Sequence, residues 1–578
     1  MASQNIDAYI IPSSDPHQSE YLPSHWESRA WVSGFTGSAG TAVITNTESG
    51  LWTDSRYFIQ AEKELSASEF ILHKHHNRQF PQYIEWLMSV LPNNSTVAID
   101  GPLFSINQKQ KFEKMLSTKE IKLKITNDLI NEVWKDRPLK PTNPIFEHHI
   151  KFTGKSRGEK LDELRVEMTE RNVGWHLIST LDDIAWLFNL RGGDVSCNPV
   201  FVAFAVINLN ESYLFIDNNK VEPSLKAKLK DSNIMLLPYE EIFEFLKNIG
   251  SDEKILIDKT TINCGLYDAI SHIKDIKNGL PTRLAKAIKN NTELGHIKNS
   301  LIKDGVALTH AFYWLENQLK SKGVSEYEFG EKLAFFRSQQ ADYYGESFNA
   351  IVGYQGNGAI VHYSADKSDS AIIKNEGVLL VDSGGQYHDG TTDITRTIAL
   401  SPPNDEVKSA YTRVLKGHIA LANAIFPEGT CGGQLDILAR KFLWEDGKNF
   451  LHGTGHGVGF FLNVHEPPQG FAPATGGRAG TSILEGMLTS NEPGYYKEDA
   501  FGIRIENLIV AEKSEYKGFL KFETVTLFPI DTTLIDKSIL NESEINWINA
   551  YHEEVANKLI PHLELKYQDW IKDKCQKI

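Results

Sequence analysis

The 578-residue sequence carries 60 lysines and arginines against 75 aspartates and glutamates, which gives a formal net charge of −15 and an isoelectric point near 5.7. This acidic balance, without a dense basic run, excludes a nucleic acid or an anionic membrane surface as the natural partner. Hydrophobic residues make up 41% and charged residues 23% of the chain, as in an ordinary globular protein. The length suggests roughly three to five domains.

The amino terminus lacks the features of an exported protein. Residues 1–10 have neither a basic start nor an apolar stretch, and no window approaches the ~18 apolar residues of a membrane span. The four cysteines, Cys197, Cys264, Cys431 and Cys575, stand far apart without a Cys-x-x-Cys pair. Neither a disulfide framework nor a thiolate metal site is therefore expected, and the chain is predicted to be cytoplasmic.

An internal repeat links two windows of the chain, residues 42–54 and 205–217, which match without a gap. Each window predicts two short strands joined by a polar turn. Upstream, an aromatic residue leads a short apolar strand in both copies, Tyr9 in the first and Trp175 in the second. The spacing is too long for a solenoid, so it favours two related α/β domains over the alternative of chance similarity.

Two composition changes predict the domain boundaries. Three prolines in charged surroundings predict a linker over residues 135–144 and a boundary near position 145. A second boundary is expected near 282–292, where an amphipathic helix through Leu301, Phe312 and Leu315 begins the last segment. The predicted domains are residues 1–145, 146–288 and 289–578.

The densest group of polar residues with chemical potential lies between Gly377 and Leu400. The apolar run 378–381 predicts a buried strand that ends at Asp382, and alternation over 391–397 predicts a second strand that carries Asp393. A hairpin of these strands would bring the two carboxylates together. Either aspartate alone is more often a turn residue or a cap, but the pair on adjacent strands favours a site.

Further along the chain, residues 451–459 interleave His452 and His456 with four glycines. Glycine permits close approach of the backbone to a bound group, and a neutral imidazole is a good metal ligand. A phosphate-binding loop is the competing interpretation. The segment lacks both the Gly-Lys-Ser/Thr of a P-loop and the Rossmann spacing, which disfavours that alternative.

Two glutamates complete the set. Glu492 precedes a Pro-Gly turn, and alternation over residues 501–508 puts Arg504 and Glu506 on one face of a strand. A simple ion pair between Arg504 and Glu506 is the structural alternative. Two aspartates, one histidine and two glutamates form an oxygen-rich ligand set that suits Mn²⁺ or a similar hard ion, and four negative charges require about two divalent cations.

Four motifs resemble a known family. Residues 382–397 (DSGGQYHDGTTDITRT), 455–459 (GHGVG), 491–496 (NEPGYY) and 502–507 (GIRIEN) closely resemble the soluble type of aminopeptidase P, the Xaa-Pro aminopeptidases of the pita-bread metallopeptidase family. Residues 10–58 and 181–192 resemble the two creatinase-type domains of its large members. The resemblance implies a mixed α/β (α+β) fold, in which two related creatinase-type α/β domains precede a pita-bread catalytic domain with an antiparallel sheet, flanking helices and a carboxyl-terminal helical extension.

The resemblance also implies roles for individual residues. Two metal ions, usually manganese, would be bound by Asp382, Asp393, His456, Glu492 and Glu506, with Asp393 and Glu506 bridging them. His362 and His465 would contact the substrate around the scissile bond, and Glu492 would accept a proton from the bridging water. His452 and Arg504 would support the site, and Arg56 would reach the bound peptide. Ser55 stands where the family pattern has glycine, so the loop of Arg56 departs from that pattern.

The implied activity is hydrolysis of the bond between an amino-terminal residue and a following proline, and the implied partners are peptides with proline second. Two alternatives stay open: a prolidase acting on X-Pro dipeptides, and a metal-free pita-bread protein kept as a binding module. The resemblance favours a homodimer. A carboxyl-terminal helix predicted from Asn541 onward carries an apolar face that is more often core than interface.

Overall fold

The protein is described here by a computed structural model that covers residues 1–75, 81–473 and 476–578. The chain forms two compact units. One contains residues 1–150 and 155–282, and the other contains residues 151–154 and 283–578. Within the described ranges, no helix combines the length and apolar character needed to cross a membrane.

The first part of the chain forms a six-stranded sheet in the order β4-β3-β2-β1-β5-β6. The central strand β1 is apolar and buried at every position, as expected for a strand covered on both faces. Strands β1, β2 and β3 pair antiparallel, while β3 with β4, β1 with β5, and β5 with β6 pair parallel. The elements are β1 (Ala8–Pro12), α1 (Ser28–Ser33), β2 (Thr41–Thr45), β3 (Ser49–Thr53), α2 (Phe58–Glu64), β4 (Phe70–Lys74), α3 (Gln82–Val90), β5 (Thr96–Asp100), α4 (Ile106–Ser117), β6 (Lys122–Thr126) and α5 (Ile130–Val133).

A second six-stranded sheet repeats this topology in the order β12-β11-β10-β8-β13-β14. From one edge of the sheet to the other, parallel and antiparallel pairings occur in the same order as in the first sheet, which confirms that the two regions are related. The elements are β7 (Phe146–Glu147), α6 (Ile150–Thr153), α7 (Arg157–Glu170), β8 (Trp175–Ile178), α8 (Leu181–Leu187), β9 (Leu190–Arg191), β10 (Phe204–Asn208), β11 (Ser212–Phe215), α9 (Pro223–Asp231), β12 (Ile234–Leu237), α10 (Ile242–Lys247), β13 (Lys254–Ile257), α11 (Cys264–Ala269), β14 (Asp275–Asn278) and α12 (Pro281–Ala287).

The last part of the chain contains antiparallel sheets and flanking helices. Its elements are α13 (Asn291–Leu319), β15 (Val324–Ser325), α14 (Glu326–Ser338), β16 (Tyr343–Glu346), β17 (Ile351–Tyr354), β18 (Ile372–Ile373), β19 (Val378–Ser383), β20 (Gly385–Tyr387), β21 (Gly390–Thr391), β22 (Ile394–Ala399), α15 (Asp405–Ala422), β23 (Ile425–Pro427), α16 (Gly432–Trp444), β24 (Gly455–Gly457), β25 (Glu466–Phe471), β26 (Leu488–Asn491), β27 (Gly494–Lys497), β28 (Phe501–Arg504), β29 (Asn507–Lys513), β30 (Phe519–Thr524), α17 (Glu542–Leu559) and α18 (Leu565–Lys574).

Two of these sheets carry the polar residues singled out above. One has the order β17-β19-β22, and the other has the order β23-β30-β29-β26-β24-β25. The predicted helix after residue 290 is present as α13, which begins with a capping box formed by Asn290 and Glu293. Helix α17 begins after Asn541 and buries Ile548, Val555 and Leu559, so its apolar face is core.

The strand predicted over residues 391–397 is wrong in its extent. Residues 390–391 pair with β20, and a separate strand, β22, begins at Ile394. Thr392 breaks the strand because its hydroxyl accepts from Gly385 N at 2.9 Å and its carbonyl oxygen accepts from Ser347 Oγ at 2.8 Å. Asp393 therefore lies at a bend between two strands rather than inside one.

Candidate metal centre

The two aspartates lie at adjacent strand ends. Strands β19 and β22 pair antiparallel, with Asp382 opposite Thr395 and Ser383 opposite Ile394, so that Asp393 lies just beyond the paired region. Both carboxylates are buried. The hairpin geometry expected from the sequence therefore brings them to one end of this sheet, although β20 and β21 intervene between the two strands.

His456 projects from β24 towards the acidic residues. Its Nδ1 lies 2.9 Å from Gly457 O, and its Nε2 lies 3.5 Å from Asp393 Oδ2 and 3.4 Å from Glu492 Oε1. Gly455 is required for this approach, because a Cβ at that position would lie 1.9 Å from the carbonyl oxygen of Ser490. The ring thus turns one nitrogen to the backbone and the other to the carboxylates, the usual arrangement of a metal-binding histidine.

The two glutamates enter from the neighbouring strands of the same sheet. Glu492 follows β26, and Glu506 lies between β28 and β29, where its Oε2 accepts from Thr395 Oγ1 at 2.9 Å. One potential ligand atom each from Asp393, His456 and Glu506 lie within 4.8 Å of one another. Asp382 Oδ1 and Glu506 Oε1 are buried without a hydrogen-bond partner among the described residues. Unsatisfied carboxylate oxygens in such a group fit a hard divalent cation.

The electrostatics of the cluster are unfavourable for bare carboxylates. Burial, reinforced by the charges of Asp382 and Glu492, raises the pKa of Asp393 well above its usual range. The pKa of Glu506 is raised in the same direction by burial and then by Asp393. Burial also raises the pKa of Glu492 to about 7, against the opposing charge of Arg504. The site therefore favours either protons or bound cations.

Arg504 forms its ion pair with Asp382. The alternative considered from the sequence was an ion pair between Arg504 and Glu506. The Arg504 Nη2 atom donates to Asp382 Oδ2 at 2.7 Å, and Nη1 donates to Tyr496 OH at 2.7 Å. The Tyr496 hydroxyl lies 2.8 Å from His452 Nε2. A chain of hydrogen bonds thus connects His452, through Tyr496 and Arg504, to Asp382. Tyr496 was not predicted as a site residue, although it lies in a quoted motif.

The two histidines expected to contact substrate lie in different segments. The ring centroid of His465 is 4.4 Å from that of His456 at an interplanar angle of 78°. His362 follows Val361, whose carbonyl oxygen accepts from Arg504 Nη2 at 3.4 Å. Both segments therefore border the acidic cluster.

Arg56 lies in the other compact unit, after β3. Its guanidinium forms a two-point contact with Asp54, from Nε to Oδ1 at 2.9 Å and from Nη2 to Oδ2 at 2.8 Å. The main-chain nitrogen of Arg56 also donates to Asp54 Oδ1 at 3.1 Å, across Ser55. The serine therefore fits the turn, and the role of Arg56 towards peptides stays a prediction.

His418, on α15, connects the strand ends that carry the two glutamates. Its Nδ1 lies 3.0 Å from Asn491 O, and Asn507 Nδ2 donates to its Nε2 at 3.2 Å. Burial, followed by the charge of Arg396, lowers the pKa of His418 to about 3, so the ring is neutral. No sequence pattern predicts this role, because a single histidine on a helix is more often a core residue.

Buried carboxylates at the ends of antiparallel strands, grouped with one histidine, are typical of a metal-dependent hydrolase of the pita-bread type. The chain belongs to metallopeptidase family M24, whose model matches residues 295–513. Models of the creatinase/prolidase N-terminal domain match residues 1–133 and 136–293, and a model of the C-terminal region of peptidase M24 matches residues 518–578. The family and fold class expected from the motifs are confirmed.

Proteins similar to this one match it over nearly its whole length. It is 41% identical to "Probable Xaa-Pro aminopeptidase P" of Laccaria bicolor, over 100% of this chain and 91% of that protein. It is 40% identical to "Aminopeptidase P2" of Arabidopsis thaliana, over 98% of this chain and 85% of the relative. The crystal structure of an X-prolyl aminopeptidase from Caenorhabditis elegans, described as a cytosolic enzyme with a di-nuclear active site, is 34% identical. It has a TM-score of 0.95 and covers 99% of this chain and 95% of that one.

Proposed function

We propose that the protein is an Xaa-Pro aminopeptidase that uses two divalent metal ions to hydrolyse the bond between an amino-terminal residue and a following proline. The observation that carries this proposal is that Asp393, His456 and Glu506 bring one potential ligand atom each within 4.8 Å of one another. Glu492 Oε1 lies 3.4 Å from His456 Nε2, and Asp382 lies at the adjacent strand end. The names of the relatives at about 40% identity over nearly the full chain support the same activity.

The donor set supports the metal part of the proposal. Four of the five groups are carboxylates and none is a thiolate, which suits Mn²⁺ and other hard ions. Asp382 Oδ1 and Glu506 Oε1, which have no hydrogen-bond partner among the described residues, could each bind a cation. Asp393 and Glu506 would hold both ions, as the resemblance to the family implies, and we propose Mn²⁺ as the working ion because the donor set is rich in carboxylate oxygens.

When bound, two divalent cations supply Lewis-acid polarisation of the scissile carbonyl and lower the pKa of a shared water. Glu492 is proposed to accept a proton from the attacking water. His362 and His465 are assigned to hydrogen-bond the peptide oxygens, since a neutral imidazole can donate from one nitrogen and accept at the other. The leaving proline nitrogen must receive a proton as the C–N bond breaks, because an amide anion is too basic to leave, and one of these histidines is suited to deliver it.

The proposed enzyme has three domains. Residues 1–145 and 146–288 form the two creatinase-type domains and residues 289–578 the catalytic domain. Arg56 contacts longer peptides from the first domain, while His452 and Arg504 support the substrate site. We further propose a cytoplasmic homodimer. Light scattering that gives the mass of a single 65.1 kDa chain would contradict the dimer.

Peptide length separates the candidate activities. With Mn²⁺ added, an X-Pro-Pro tripeptide should lose its first residue faster than an X-Pro dipeptide is cleaved. Preference for the dipeptide would instead identify a prolidase. A purified protein that binds no metal and gains no activity with Mn²⁺ would support the binding-module alternative. Glu492→Gln, in the same assay, should abolish hydrolysis of both peptides.

A further inference from the structure

Glu326, the first residue of α14, is a fully buried carboxylate. In the part of the chain that the structure describes, its partners are hydrogen-bond donors, without a lysine or arginine among them. A buried carboxylate is costly unless donors surround it. Four donors do so here, and all of them belong to one segment, residues 354–371, that carries His362.

The carboxylate binds this segment at its beginning, middle and end. Tyr354 N donates to Oε1 at 2.7 Å, where β17 ends, and Ala371 N donates to Oε2 at 2.9 Å, just before β18. Asn357 Nδ2 donates to both oxygens, at 3.0 and 3.2 Å, and Tyr363 OH donates to Oε2 at 2.8 Å. Residues 360–371 contain no helix or strand, so these bonds replace the regular hydrogen bonds that the segment lacks.

One of these hydrogen bonds lies next to His362, the residue expected to contact substrate. Tyr363 follows His362 directly, and burial followed by the hydrogen bond to Glu326 raises its pKa well above the usual range, so the hydroxyl keeps its proton. On the other side, Val361 O accepts from Arg504, which also holds Asp382. His362 is thus fixed between two anchors, one tied to Glu326 and one tied to a predicted metal ligand.

An acidic residue in the first turn of a helix is ordinarily explained by the helix dipole. The dipole does not account for the donors around Glu326, and Glu326 is not the cap of α14 either, since Ser325 takes that position by accepting from Glu328 N at 3.0 Å. A dipole interaction also requires neither full burial nor four donors from another segment.

We propose that Glu326 is a positioning residue for the aminopeptidase reaction, holding the 354–371 segment through Tyr363 so that the His362 imidazole stays aligned with the bound peptide. The inference rests on the proposed function, and specifically on the role of His362. Because a misplacement of about 1 Å can cost a large factor in rate, loss of one anchor affects turnover more than binding.

The test uses Tyr363→Phe, which removes one hydroxyl and leaves the aromatic packing. Turnover of an X-Pro-Pro peptide should fall about tenfold, while KM and the number of bound Mn²⁺ ions stay unchanged. Glu326→Gln should act in the same direction. Tyr387→Phe is the control, since the hydroxyl of Tyr387 also donates to a carboxylate, Asp304 Oδ1, at 3.0 Å, although Tyr387 is buried and Tyr363 is half-buried. It should lower the melting temperature without lowering kcat.

Coupling to His362 decides the mechanism. In a His362→Ala background, Tyr363→Phe should change the residual kcat less than twofold, because the group being positioned is gone. An equal loss in both backgrounds, or no loss in the wild-type background, would overturn the positioning role while leaving the proposed function standing. If His362→Ala itself leaves kcat unchanged, the assigned role of His362 fails, and this proposal fails with it.

Discussion

Replacing His418 by leucine should weaken metal binding at a distance from the ligands. The imidazole connects Asn491, which precedes Glu492, to Asn507, which follows Glu506, and these two asparagines face each other in the pairing of β26 with β29. Leucine has a similar bulk but no polar atom. The substitution therefore removes two hydrogen bonds without removing charge, because the ring is neutral.

The expected loss of stability follows from the two polar groups that lose their hydrogen bond to His418. Asn491 O and Asn507 Nδ2 would both be buried without their partner, at a cost of about 1–3 kcal/mol each, or about 2–6 kcal/mol in the free energy of unfolding. Part of this loss falls on the strand ends that hold the glutamates. We expect Mn²⁺ affinity to decrease about 10-fold, as for other groups that orient metal ligands.

Calorimetric titration with Mn²⁺, alongside urea unfolding of the metal-free protein, measures the two effects separately. His552→Leu is the control, because His552 is also fully buried and accepts from Ile530 N at 3.1 Å. It lies on α17 and, among the residues that the structure describes, bonds to none next to a predicted ligand. The control should lose stability and keep its Mn²⁺ affinity. If His418→Leu behaves in the same way, the connection between the glutamate strands has no bearing on metal binding.

Three further outcomes are expected. Burial raises the pKa of Asp100 to about 7 from 3.8, so its contribution to stability is present below pH 4 and is lost as the pH rises through 7. Asp100→Asn should therefore raise the urea midpoint at pH 8 by more than at pH 5, and an equal gain at both would refute the assignment. Removal of metal with a chelator should lower the melting temperature, and Mn²⁺ at 100 times its dissociation constant should restore about 2.7 kcal/mol; a melting temperature independent of Mn²⁺ would contradict the site. Arg56→Ala should raise KM for longer peptides and leave Mn²⁺ binding intact, whereas unchanged kinetics at every peptide length would remove Arg56 from the substrate site.

The sequence was informative where function depends on local pattern. Asp382 could be recognised because it ends a short apolar run, Asp393 because it lies in an alternating segment, and Glu492 because it precedes a Pro-Gly turn. The repeat of residues 42–54 at 205–217 predicted two related domains, and the two sheets share one strand order. Alternation failed at Thr392, because hydrogen bonds donated to Thr392 by Gly385 N and Ser347 Oγ break the strand, and neither contact is visible in the local pattern.

The supporting residues could not be predicted for a different reason. His418, Tyr496 and Glu326 act through partners that are distant in sequence, as with His418 and Asn507, which are 89 positions apart. Their residue types carry no periodic signal, and each has an ordinary explanation as a core histidine, a strand tyrosine or a helix cap. The register of β26 with β29 brings the two partners of His418 together, and the path of residues 354–371 brings Tyr363 to Glu326.

The acidic cluster also explains why so much hydrogen bonding surrounds it. Arg504 balances Asp382, but Asp393, Glu492 and Glu506 have raised pKa values because burial and mutual repulsion oppose their ionisation. Without fixed strand ends these carboxylates would separate until cations arrived, and binding would then carry the entropy of reordering them. The bonds from His418 and Thr395 hold the glutamate segments in place in advance. Cation affinity is thus set by the protein scaffold as much as by the ligands themselves.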